Sequence, residues 1–90
     1  MNAINENQTN ITKQTGRFID DIKWQIDFNI GMFEFCDNKE EVEKYATKAY
    51  TLAEVLYYTN AISEDEHKKT NEKIYEARYK RIFNELEGRK

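Results

Sequence analysis

Few residues in this chain have the type and spacing to do chemistry, and each set is incomplete for the reaction it suggests. Glu64-x-x-His67 has the spacing of half a dinuclear metal site in a helical bundle. That site needs a second Glu-x-x-His, and His67 is the only histidine. Zinc would need further imidazole or thiolate ligands, and Cys36 is the only cysteine. As a nucleophile Cys36 would need a base and an electropositive setting, whereas its neighbours Glu34 and Asp37 raise a thiol pKa. Asp20 and Asp21 are adjacent, so on a helix they point to different sides and make no acid/base pair. The three glycines are isolated, which excludes a glycine-rich phosphate loop. No enzymatic activity, metal or cofactor is expected.

Two constellations suit binding. Trp24, Phe28, Met32 and Phe35 form one stripe on a helical wheel, partly separated by Asp21, Gln25 and Asn29 from a second made of Phe18, Ile19, Ile22, Ile26, Ile30 and Phe33. Together the stripes span roughly 240°, more than an outer helix of a small bundle normally buries. Trp24, Phe28, Met32 and Phe35 are therefore the candidate protein interface, either with a partner or as a homodimer seam. On the last helix, Lys73, Arg78, Lys80 and Arg81 are interleaved with Tyr75 and Tyr79. This basic face is the candidate nucleic-acid contact, against which stands the option that its charges form surface ion pairs such as Glu76–Lys80 and Arg81–Glu85. Carboxylates at the helix starts serve the helix dipole and could also imitate phosphates for a basic partner.

The elements that must carry these residues are marked by two helix-start signatures. Asn38-Lys39-Glu40-Glu41 and Ser63-Glu64-Asp65-Glu66 place a short polar acceptor three residues ahead of a glutamate. Such a residue accepts an orphan amide of the first turn, and the glutamate reaches back to the capping residue's own amide. They predict helices over about 39–60 and 64–87, joined by a short loop into an antiparallel hairpin. Within the former, Val42, Tyr45, Ala49, Leu52 and Leu56 keep three-four spacing, with Ala46 and Ala53 beside them to admit a close neighbour. In the latter the apolar stripe (Ile74, Tyr75, Tyr79, Ile82, Phe83, Leu86) lies late, so Glu64 to Lys73 reads as a solvated half, with His67 on the surface. Gly88-Arg89-Lys90 suits a glycine stop with basic residues at the negative pole.

Residues 17–36 fit two templates, a strand or a first helix over about 16–36. Ile22, Trp24, Ile26, Phe28, Ile30 and Met32 alternate with polar residues or glycine, as in a strand, while Phe18, Ile22, Ile26, Ile30 and Phe33 keep helical steps. A long apolar edge strand would invite aggregation, and a helix would match the other two. The expected fold is all-α: a three-helix antiparallel bundle over 15–90 behind a mobile N-terminal tail at 1–14. The alternative is α+β, with a β-hairpin at 17–35 packed on the helical hairpin.

A balanced net charge of −3 gives no global pull toward nucleic acid or an anionic membrane. No apolar run is long enough to span a bilayer, and no signal-like segment opens the chain, so a cytoplasmic location is expected. Abundant Ile, Asn, Lys, Phe and Tyr, all with A/T-rich codons, suit a low-GC bacterium or its phages and plasmids. The functional expectation is a small non-catalytic protein-binding module, such as a phage or mobile-element regulator or inhibitor of a host protein. Nucleic-acid binding and a self-associating structural bundle are its alternatives.

Overall fold

Asn38 and Ser63 start the second and third helices where the sequence places them. In the computed structural model, which describes the backbone of residues 2–88 and the side chains of residues 16–88, α1 spans Asn2–Gly31, α2 Lys39–Tyr58 and α3 Glu64–Tyr79. A 3₁₀ turn, Met32–Phe35, follows α1, and a π-helical segment, Lys80–Leu86, continues α3. The fold is all-α, with no strand among the described residues, so a β-hairpin at 17–35 is excluded. Branched residues that alternate with polar ones in this segment also fall on one helical face, and burial of Ile22, Ile26 and Phe33 selects that face. Helical backbone continues from α1 back to Asn2 through the segment expected as a tail, whose side chains lie outside the described residues. Arg89 and Lys90, expected at the last helix's negative pole, also lie outside them.

Capping follows the expected logic with changed reach-back partners. Asn38 Oδ1 accepts the Glu41 amide at 2.9 Å, but the Glu41 carboxylate takes the Asp37 amide, also at 2.9 Å, one residue earlier than a capping box predicts. Ser63 Oγ accepts the Glu66 amide at 3.1 Å, and its hydroxyl donates to the Glu66 carboxylate at 3.4 Å. Between them, α2 stops two residues before the expected end. Asn60 adopts the left-handed conformation (φ 62°), and the Ala61 and Ile62 amides both donate to the Leu56 carbonyl. Asparagine tolerates this backbone better than most residues, and the reversal drops Ile62 into the core. Gly88 has no left-handed φ; a Cβ there would lie 2.5 Å from the Asn84 carbonyl oxygen, so close approach is what requires glycine.

α2 is the central element. Val42, Ala46, Ala49, Ala53 and Leu56 form its buried seam, at steps of four and three. The seam centres on the alanines; Tyr45 and Leu52, expected on it, are only partly buried at its borders. Facing it are Ile22, Ile26 and Phe33 from the first helix and Ile74 and Ile82 from the third. Because alanine presents only a methyl group, both neighbours approach α2 closely. They touch each other less, through side chains such as Lys73 and Asp27, 2.9 Å apart. The molecule is correspondingly shallow, with extents of 68 × 24 × 13 Å. Ala49 is 0% exposed, so Ala49→Leu must separate helices and should cost roughly 1–3 kcal/mol in urea denaturation. Replacement of the exposed Glu54 by alanine should stay within about 0.5 kcal/mol of the parent.

Candidate functional site

The face of α1 turned away from α2 carries an uncovered aromatic ridge. Trp24 is 64% exposed, Phe28 50% and Phe35 74%. Helical geometry puts Trp24 about 170° and Phe28 about 130° from the midline of the buried residues Ile22, Ile26, Asn29 and Phe33, which turns both away from α2. The Trp24 and Phe28 rings stack on each other at 5.4 Å between centroids. Met32 is half-buried in the 3₁₀ turn, so three of the four expected interface residues are open and the fourth is partly covered. Phe18, expected in the core stripe, is instead exposed, because the described core begins one residue later at Ile19. Asn29, expected among the polar separators, is buried, and its Nδ2 donates to the Gln25 carbonyl at 2.7 Å. Carboxylates border the ridge: Asp20 and Asp21 precede Trp24 by one turn, and Asp27 follows it by three residues.

The basic cluster on the last helix is distributed differently. Arg78 holds Glu43 of α2 in a two-point grip through Nε and Nη2, the latter bond 3.0 Å long. Arg81 donates from Nη2 to the Cys36 carbonyl at 2.8 Å and lies 3.6 Å from Glu85, with its side chain only 11% exposed. Lys73 is the one paired with Asp27. Of the four residues read as a nucleic-acid contact, only Lys80 has no ion-pair partner among the described residues. Lys73, Arg78 and Arg81 thus tie the last helix to the rest of the fold. Among the helix-surface pairs expected there, Arg81–Glu85 forms and Glu76–Lys80 does not.

A second feature escaped the sequence. The polar half of α3 is not solvated throughout. His67 lies flat on Tyr57 of α2, with ring centroids 4.5 Å apart and planes 5° from parallel, and its Nε2 is 3.3 Å from Asn71 Nδ2. Below this stack a groove of about 730 Å³ runs between α2 and α3, walled by Tyr50, Tyr57, His67, Asn71 and Tyr75. Burial pushes the Tyr50 hydroxyl above the ordinary tyrosine range, opposed by the Arg78 guanidinium. The signal was present as spacing, since His67, Asn71, Ile74 and Arg78 continue one helical line through residues that hydropathy alone reads as surface.

Cys36 ends the 3₁₀ turn, buried, with its thiol donating to the Met32 carbonyl at 3.2 Å. Desolvation pushes its pKa up, and the Glu41 and Asp37 carboxylates add to this against the opposing Arg81. Among the described residues no cluster of three or more histidine, cysteine or carboxylate side chains converges as metal ligands. Nor is any described helix long and apolar enough to cross a membrane. No family model, no curated protein and no solved structure matches this chain.

Two outcomes follow from these geometries. Cys36 should resist iodoacetamide in the native protein at neutral pH and label fully in denaturant; native labelling at the rate of a free thiol would contradict its burial. The hydrogen bond from Arg78 holds the Glu43 carboxyl below its ordinary value. A lowered folded-state pKa stabilises the fold above the unfolded-state value of about 4.3, and the stabilisation fades as pH falls through the folded-state value. With Glu43 side-chain exposure at 41%, solvent screening keeps the pair to about 1 kcal/mol or less. Glu43→Gln should therefore destabilise the protein at pH 7 and much less at pH 3, in parallel urea titrations.

Proposed function

We propose that this protein is a small non-catalytic binding module that acts by occupying a protein partner through the outer face of α1. The observation that carries this reading is the 64% exposure of Trp24, stacked on the half-exposed Phe28 on the side of the helix opposite the core. A tryptophan–phenylalanine pair held in water forfeits much of the free energy that burying these rings would release. Trp and Phe are also residue types that anchor interface cores. The flanking carboxylates Asp20 and Asp21 suit a partner whose apolar pocket has a basic rim. Regulation or inhibition of a host protein by occupancy fits such a module, and its bias toward residues with A/T-rich codons suits a phage or mobile-element source.

A photo-crosslinking amino acid at position 28 tests the reading. It should capture one partner in cells, whereas the same group at the exposed position 54, on α2, should capture none. Trp24→Ala should abolish capture and shift stability by less than about 0.5 kcal/mol, since the side chain lies outside the core. A large loss of helicity in that variant would make Trp24 a folding residue and end the proposal. Light scattering on the purified chain separates the self-associating alternative: a dimer that dissociates on Trp24→Ala would assign the ridge to a second copy.

A further inference from the structure

The groove between α2 and α3 combines aromatic walls with an excess of carboxylates, and this combination selects a class of ligand. Tyr50, Tyr57 and Tyr75 supply π-systems, and Glu64, Glu72 and Glu76 line the same groove against a single lysine, Lys68. Aromatic faces attract cations through their quadrupoles, and nearby carboxylates add to that attraction. The chain already seats one ammonium in this way, with Lys48 Nζ 5.1 Å from the centre of the Tyr45 ring. The polar groups in the walls lean the same way. Asn71 Oδ1 is buried with no hydrogen-bond partner, an acceptor left over beside the carboxylates. Lys68 lies one turn from Glu64 and one turn from Glu72, and the Arg78 guanidinium near Tyr50 and Tyr75 is already paired with Glu43, so the end of the groove near Glu72, Glu76 and Tyr75 carries the net negative charge.

We propose that this groove is a binding site for a small organic cation, an alkylated ammonium or a guanidinium, seated against Tyr50 and Tyr75 and held by Glu72 and Glu76. A volume near 730 Å³ is within the range of small-molecule sites. Both walls are α-helices whose interior backbone groups are already paired, so an extended peptide would find no main-chain hydrogen bonds there. The free cation is therefore the occupant, and this site is independent of the Trp24 ridge.

The test titrates benzyltrimethylammonium chloride into the isotope-labelled full chain and follows amide shifts by NMR, with benzyl alcohol as the neutral control. Saturable shifts centred on Tyr50, Asn71 and Tyr75, with benzyl alcohol weaker by about tenfold, are expected. The double variant Glu72→Gln/Glu76→Gln, both positions exposed, should weaken binding about five- to tenfold while leaving the circular dichroism unchanged. Tyr75→Leu, which keeps an apolar wall and removes the π face, should weaken it as well, and Trp24→Ala should leave it intact. Equal binding of benzyl alcohol, or shifts in the wild-type protein that never saturate, would overturn the proposal. Tighter binding of a capped Gly-Arg-Gly peptide than of the free cation would overturn the choice of occupant.

Discussion

Close approach of two helices to the alanine seam of α2 is the constraint on which the rest of the structure depends. Ala46, Ala49 and Ala53 remove side-chain bulk from the middle of the central helix, and Val42 and Leu56 close the seam at its ends. Alanine buries little area of its own, so the apolar mass of the core comes from the neighbours: Ile22, Ile26 and Phe33 on one side, Ile74 and Ile82 on the other. Such a core is thin, and the fold supplements it at its edges. Caps at Asn38 and Ser63 and the left-handed Asn60 fix the connections. Arg78 on Glu43 and Arg81 on the Cys36 carbonyl pin the last helix to the α1–α2 corner.

The same arrangement accounts for what is left outside. With α2 between two partners, no described residue of the other helices covers the back face of α1, and its aromatic residues are exposed. The third helix and its continuation turn Ile74, Ile82, Arg78 and Arg81 inward, which leaves tyrosines and glutamates along the border with α2. Exposed aromatic surface and carboxylates thus occur together at both places. The two surfaces differ in form. The α1 ridge is convex and suits insertion into a pocket of a partner, whereas the α2–α3 groove is concave and suits a small guest.

His67 and Arg81 show how polar residues can carry a helix–helix contact. Hydropathy assigns Glu64 to Lys73 to solvent, yet His67 stacks on Tyr57 and Asn71 sits beneath it, extending the α2–α3 contact by more than a helical turn. Arg81 is almost covered while remaining charged, because the Cys36 carbonyl and Glu85 satisfy part of its donor set. Its Nε is buried without a partner, a cost that the contact at the corner has to offset.

Local chemistry determined the helices of this protein, because caps and three-four spacing act over a single turn and need no knowledge of the rest of the chain. Asn38, Ser63, the Val42–Leu56 stripe and the second aromatic stripe of residues 24–35 were all legible in that way. Periodicity alone left residues 17–35 open between strand and helix, since branched residues at alternating positions satisfy both patterns until a seam exists to bury one face. Which basic residues are free, whether Met32 or Asn29 faces inward, and where His67 comes to rest were decided only by tertiary structure. The ion pairs of Lys73 and Arg78 and the stack of His67 each need a partner ten or more residues away in the chain, and the energy of such a contact exists only once close packing on the alanine seam has brought the two segments together.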